Sequence, residues 1–255
     1  MNILVCVKRV PDIGSKFTLT ADGKAIDASN LGFTISPHEE CAIEEAISLI
    51  EKYGGSATVL TLGPAAAEEQ LRDSLARGMD EAILLETDIP EWDPIQTANA
   101  IIDTIKIEEV TNGKFDLLLF GNESADSGNV QVGIRVAHRL SLPCICGIKD
   151  ISLAGSKITV KRDMLNGMEI YETSLPAVVT VKEGLNLPRY PSLRGRIKAR
   201  KKEIIHSLPN QSPFTMDMIQ LKHPDEQTKE VLILGEGASA AGNAVNIFQQ
   251  LKLLK

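Results

Sequence analysis

From residue 1 to about 147, short apolar runs alternate with longer stretches whose apolar residues recur every three or four positions. Ile3–Val7 is a continuous apolar run of strand length. Ser36–Tyr53 sets Ala42, Ile43, Ala46, Ile47 and Ile50 on one stripe, the spacing of a helix with a single buried face. Ser36 at the N-cap, Pro37 at the first helical position and Glu39 two further on compose a capping box, and Gly54 and Gly55 end the helix. The same reading predicts a strand at Ala57–Leu62, a helix at Ala65–Arg77 with Leu71 and Leu75 inward, and a strand at Glu81–Leu85. It continues with a helix at Pro94–Val110, a strand at Asp116–Phe120, a helix from about Asn129 to Leu140, and a strand at Pro143–Ile148.

Strands that are apolar throughout, each followed by a helix, predict an α/β fold: an open, mostly parallel Rossmann-like sheet with helices on both faces. After residue 148 the period changes. Ile151–Leu153, Lys157–Lys161 and Glu169–Thr173, joined by turn residues, predict a small antiparallel addition, and Pro176–Val181 another buried strand. From Glu203 the chain becomes polar and loop-rich, interrupted by Pro209, Pro213 and Pro224. A short strand at Val231–Leu234 and a last helix over about Ala240–Leu254 are expected. A tail with so few elements cannot bury itself well, which points to a C-terminal arm packing on a partner subunit. The expected division is 1–190 for the α/β domain and 191–255 for the loop that follows and that arm.

Composition narrows the function classes. The chain has 255 residues, 43% hydrophobic and only 4% aromatic, so its core must be aliphatic. No apolar run approaches the roughly 18–20 residues of a membrane span, and membrane insertion is not expected. No basic segment precedes Ile3, so no secretory signal is expected. Cys6, Cys41, Cys144 and Cys146 lack C-x-x-C spacing and read as small hydrophobes in a reducing cytoplasm, with Cys144 and Cys146 on the same face of one strand. The histidines at 38, 138, 206 and 223 have no ligand spacing, so no metal site is expected. No cluster of acid, base and nucleophile stands out.

Charge is concentrated in one place. The net charge is −7, yet Arg189–Lys202 holds seven of the 27 basic residues and no acidic one, so 20 basic oppose 34 acidic residues elsewhere. Pro188 and Pro191 stiffen this segment, and Tyr190 and Leu193 lie on it. It reads as an exposed cationic docking arm. Nucleic acid is a poor partner, because the remaining acidic surface would repel a phosphate backbone.

Ligands of open parallel sheets sit beyond the carboxyl ends of the strands. Cys6, the Ser36–Glu39 helix start, Leu62 and the segment Gly121–Gly133 (GNESADSGNVQVG) all fall there. Glycines and a helix start in that segment suit a phosphate, and Asp126 suits a ribose hydroxyl. An ordinary strand-to-helix loop with Asp126 as a cap fits the pattern equally well.

The arm's string L-N-x-P-R-Y-P-S-L-R-G-x-x-K-A-x-K-K resembles the signature of the electron transfer flavoprotein beta subunit family. V-K-R-V at Val7–Val10, A-I-E-E-A at Ala42–Ala46 and G-P at Gly63–Pro64 support the likeness, which runs from residue 1 to about 202. The resemblance implies an adenine nucleotide alpha hydrolase-like sheet that binds AMP through Cys6, Ser36, Pro37, His38, Glu39, Leu62 and the stretch Asp126–Ala137, which opens with Asp126, Ser127, Gly128, Asn129, Val130, Gln131, Val132 and Gly133. It implies a heterodimer with an alpha subunit that mainly holds the redox-active FAD. It further implies an electron carrier without catalytic residues of its own, serving flavoprotein dehydrogenases such as the acyl-CoA dehydrogenases of fatty acid beta-oxidation. Leu193 would be the anchor in those partners, with Tyr190, Arg194, Arg196 and Lys198 around it. The compartment implied is bacterial or archaeal cytoplasm, with the mitochondrial matrix second.

Three departures matter. Val132 stands where many members have a threonine, and Ile13 and His38 stand where some have aromatics near the flavin. Q-V-G at Gln131–Gly133 and P-S-L-R-G in the arm resemble the bifurcating branch, which holds a second FAD in place of AMP, but that branch carries D-G-D-T where Asp126–Asn129 reads D-S-G-N. A free-standing adenine-nucleotide sensor would leave the arm and tail without a role. An ATP-pyrophosphatase would need a glycine-rich loop where KRVPDIGSKF has one glycine.

Overall fold

The structure is a computed structural model and describes residues 1–89, 91–211, 213–224 and 231–254. The chain divides into two compact units, Met1–Ile219 and Gln220–Lys255.

The first unit opens with β1 (Asn2–Val7), the short strands β2 (Arg9–Pro11) and β3 (Phe33–Ile35), helix α1 (Pro37–Tyr53) and β4 (Ser56–Gly63). The helix expected at Ala65–Arg77 is a single tighter turn, Ala65–Ala67, leading into α2 (Glu68–Arg77). Then come β5 (Glu81–Glu86), α3 (Pro94–Asn112), β6 (Leu117–Gly121), α4 (Val132–Leu140) and β7 (Cys144–Ile148). Strands β8 (Asp150–Ala154), β9 (Lys157–Met164) and β10 (Gly167–Ser174) precede β11 (Ala177–Val181), helix α5 (Leu193–Ala199) and β12 (Ile205–Ser207).

The main sheet runs β12-β5-β4-β1-β6-β11-β7, and every neighbouring pair is parallel. Strands alternate their side chains between faces. Ile3, Val5 and Val7 of β1 join one buried cluster with α1 and α2, while Leu4 and Cys6 join a second with α3 and α4. The continuous apolar runs therefore record two-sided burial, as expected.

The connection from β7 to β11 contains no helix. It is the antiparallel sheet β10-β9-β8, whose Ile158 and Val160 cover the α1 side of the core. These three strands extend beyond the segments the pattern predicted. Their outer faces carry too few apolar residues for alternation to mark the ends.

Two edges escaped the sequence reading. β2 and β3 form a short antiparallel ladder in which the Arg9 guanidinium lies over the Phe33 ring at 3.4 Å. β12 adds to the sheet beside β5 in the region expected to be loop, pairing Ile205 with Ile83 and Ser207 with Leu85. Three residues are too few for a period to show.

The second unit holds a helical turn at Gly237–Ser239 and α6 (Ala240–Gln250). The strand expected at Val231–Leu234 does not form: these residues have no strand partner among the described residues and are largely solvent-facing. The last helix ends at Gln250, short of the expected Leu254.

Candidate functional site

β1 sits between β4, which follows it in the fold, and β6, which the chain reaches only after crossing back over the sheet from β5. Strand order reverses there, and such a switch point leaves a crevice at the carboxyl ends. Cys6 pairs in register with Phe120 on β6, and Leu62 packs with the buried cluster that includes Cys6. Burial pushes the Cys6 thiol far above its usual range, so it is a wall of the site rather than a nucleophile.

Ser36 and Pro37 start α1 at the mouth of this crevice, and the capping box is present. The buried Glu39 carboxylate accepts from the Ser36 amide at 3.3 Å and from the Lys8 amide at 3.0 Å. The Ser36 hydroxyl reaches the Glu123 carbonyl at 3.5 Å. A side chain on Gly121 would collide with Glu39 Cγ at 2.7 Å, so the loop after β6 can pass the start of α1 only as glycine.

Lys8 knits the loop to β1. Its Nζ lies 2.6 Å from Asp126 Oδ2, 3.5 Å from Glu91 Oε1 and 3.5 Å from Ser127 Oγ. Burial works against the ammonium, but Asp126 and Glu91 outweigh it and hold its pKa above the usual value. Burial alone would raise Asp126; Lys8 brings it below the usual carboxylate range. Glu39 is the opposite case. Burial pushes it up to about 8 despite its two amide donors.

The helix expected from Asn129 begins at Val132. Gly128 has φ 58° and Val130 φ 56°, both in the left-handed region that a right-handed helix excludes. Valine is β-branched, so the loop is strained at that point. Asn129 and Val130 are exposed, while Val132 packs against the buried cluster. Gln131 occupies the α4 N-cap without a side-chain cap bond, its Oε1 instead accepting from Arg135 at 2.6 Å. By contrast, Asp93 caps α3 by accepting from the Ile95 and Gln96 amides. Any side chain at Gly133 would sit 3.0 Å from Thr180 and 3.2 Å from Phe120, so glycine lets α4 lie close on the sheet.

The structure thus brings Cys6, Ser36–Glu39, Leu62 and the 126–133 loop to one end of the sheet. Lys8, Glu91, Glu123, Asn122 and Thr180 also stand there, and the sequence reading did not single them out as site residues. Of these, Lys8 carried a signal inside the V-K-R-V string, and Asn122 and Glu123 inside the Gly121–Gly133 segment. A groove of about 350 Å³ lies between α3 and α4, lined by Ile95, Ala98, Ile134, Arg135 and His138 and, from the 126–133 loop, Gln131.

The cationic arm is anchored more firmly than a solvated loop. The Asn186 amide donates to the Cys41 carbonyl and to Glu45, both at 3.0 Å. Arg189 forks onto Glu44 (2.9 Å) and Glu51 (2.7 Å); its hydrogen bonds to these carboxylates raise its pKa further. Ser192 then caps α5, accepting from the Gly195 amide at 3.0 Å, and a helix replaces the expected loop over Leu193–Ala199. Arg72 donates to the Ala199 carbonyl at 2.6 Å and to that of Lys202, while Lys202 reaches back to the Met79 and Asp80 carbonyls. What stays outside is Tyr190 (95% exposed), Leu193 (76% exposed), and Arg194, Arg196, Lys198 and Arg200, which form no ion pair among the described residues. His38 links the two regions, Nδ1 accepting from the Glu183 amide at 2.7 Å and Nε2 lying 3.6 Å from Glu123.

Comparison with known proteins bears on this arrangement. The model of the electron transfer flavoprotein domain matches residues 24–207. An electron transfer flavoprotein subunit beta from Bacillus subtilis is 40% identical over 231 residues, covering 90% of this chain and 84% of that protein. Proteins of the same description from Thermoanaerobacterium thermosaccharolyticum (36%, 80% and 77% covered) and Syntrophomonas wolfei (33%, 92% and 91% covered) are also similar. These alignments reach past residue 202, where the motif-level likeness fades.

Glu39 and Gly195 give two tests. The folded-state pKa of Glu39 lies above its reference value of 4.5, so its contribution is fully present below that pH and is lost as pH rises through about 8. Glu39→Gln should flatten that decline, and at pH 8 it should exceed the wild type by on the order of 1–3 kcal/mol in urea unfolding; parallel profiles would contradict the buried acid. A Cβ on Gly195 would stand 2.1 Å from the Ala76 carbonyl oxygen. Gly195→Ala should therefore lift α5 from α2, cost about 1–3 kcal/mol, and speed amide exchange over 193–202 while β1 and β6 stay protected.

Proposed function

The chain belongs to the electron transfer flavoprotein beta subunit family, and on that premise we propose that it pairs with an alpha subunit as a heterodimeric carrier of electrons from flavoprotein dehydrogenases, such as acyl-CoA dehydrogenases, to an acceptor. The observation that supports this reading is the arm: clamped at its ends, it exposes Arg194, Arg196, Lys198 and Arg200 with Leu193 and Tyr190 projecting from it. Leu193 inserts into an apolar pocket of the dehydrogenase, and Arg194, Arg196, Lys198 and Arg200 steer acidic partners. Steering of this kind raises association rate more than affinity and weakens with salt. That suits a carrier which must release after every transfer.

The crevice takes AMP as a structural ligand. Its phosphate faces the α4 start, whose first amides lack a side-chain cap, and Lys8 supplies the countercharge. Asp126, now held by Lys8, accepts from the ribose once the ammonium turns to the phosphate. Gly133 keeps the helix start near enough to the sheet for that contact. FAD, held mainly by the alpha subunit, supplies the redox chemistry. This chain contributes scaffold, nucleotide site and docking arm to the electron transfer, and its C-terminal arm packs on the alpha subunit. A second FAD in the crevice is the alternative, favoured by the Gln131–Gly133 string. No helix of the described residues is long and apolar enough to cross a membrane, and free thiols suit a bacterial or archaeal cytoplasm.

Leu193→Ala should raise the KM for the dehydrogenase by the equivalent of about 1–3 kcal/mol, leaving the flavin spectrum and heterodimer intact. Unchanged transfer kinetics would remove the anchor. Nucleotide released from the denatured heterodimer should be one FAD and one AMP; two FAD would establish the bifurcating form.

A further inference from the structure

The four cysteines are not alike. Cys6 and Cys41 are buried, whereas Cys144 and Cys146 are half-buried on β7, which is an edge strand of the main sheet. A structural break distinguishes the pair. Val179 pairs with Ile145 and Val181 with Ile148, so the single residue Thr180 of β11 faces both Cys146 and Gly147. This is a bulge, a device that re-aims a side chain. Gly147 takes φ 71°, and its amide donates to Thr180 Oγ1 at 2.9 Å instead of entering the ladder. The result sets the Cys144 and Cys146 sulfurs 3.7 Å apart.

We propose that Cys144 and Cys146 form a redox-active dithiol that closes to a disulfide when the protein meets a hydroperoxide. An S–S bond is about 2.05 Å long, so the sulfurs must approach by somewhat under 2 Å. The outer edge of β7 has no ladder partner among the described residues, and the adjacent glycine gives the backbone freedom to follow. Cys146 is the attacking sulfur. As a thiolate it accepts a hydrogen bond from the Cys144 thiol, which lowers the Cys146 pKa and raises that of Cys144, and the Arg162 guanidinium adds to the effect on Cys146. A resident metal is a poorer use of the pair, since no group of three or more His, Cys, Asp or Glu among the described residues could hold one.

The steps balance as follows. The Cys146 thiolate attacks one peroxide oxygen, the O–O bond breaks, and the departing oxygen takes the proton that Cys146 gave up. The sulfenic acid left on Cys146 is then attacked by the Cys144 sulfur. The S–O bond breaks, hydroxide leaves with the Cys144 proton as water, and the S–S bond forms. The peroxide gains two electrons and each sulfur loses one.

The test uses the native complex, reduced, desalted and treated with hydrogen peroxide, then alkylated and digested for mass spectrometry. The peptide spanning Leu140–Lys149 should lose two hydrogens, regain them with dithiothreitol, and react about tenfold faster than Cys41. Cys144→Ser should leave a sulfenic acid on Cys146 that dimedone traps; Cys146→Ser should leave Cys144 a thiol. If either variant fails to fold, the wild-type peptide decides alone. Retention of both thiols, over-oxidation of Cys146 to sulfinic acid without a disulfide, or pairing with another cysteine would each overturn the proposal.

Discussion

A parallel sheet covered on both faces has little room for polar side chains along its length, and that constraint organises this molecule. β1 shows it most plainly: Ile3, Val5 and Val7 serve one cluster, Leu4 and Cys6 the other, and all are buried. The few buried hydroxyls are spent on local bonds, as when Thr61 donates to the Val7 carbonyl at 2.9 Å. Charge is driven to the strand ends. At the carboxyl end the chain reverses its direction of winding beside β1, and Lys8, Glu39, Glu91, Glu123 and Asp126 collect there.

That cluster is organised at some expense in stability. Glu39 is buried beside two amide donors, and desolvation outweighs them. Val130 is held in a left-handed conformation that valine resists. A sheet selected only for stability would have a glycine at 130 and a residue without an ionisable group at 39. Both departures lie at the crevice: Glu39 joins the residue after β1 to the start of α1 through the Lys8 and Ser36 amides, and Val130 lies in the loop that leads into α4.

The arm illustrates how a charge run divides into two kinds of residue. Arg189 and Lys202 face the body of the protein and hold the segment at its two ends, through Glu44 and Glu51 at one and the Met79 and Asp80 carbonyls at the other. The cations between them form no ion pair among the described residues. Because the ends are fixed, Leu193 is presented on a segment with little conformational entropy left to lose. His38 ties the base of this arm to the loop after β6 through the Glu183 amide and Glu123.

Much of this was legible in the sequence, because it rests on local periodicity and turn chemistry. The parallel strands, α1 with its capping box, the glycine-rich segment after β6 and the cationic arm each follow from residues close together in the chain. What the sequence left open depends on contacts between distant residues. The insertion of β11 between β6 and β7, the pairing of β12 with β5, and the Lys8–Asp126 contact are chosen by the whole sheet, not by any window of it. The late start of α4 was hidden because valine carries no signal for positive φ. The bulge at Cys146 was hidden because only pairing with Thr180 across the sheet reveals the extra residue. Local chemistry determined which elements form; long-range packing decided which side chains meet, and with them the geometry of the crevice, the clamped arm and the thiol pair.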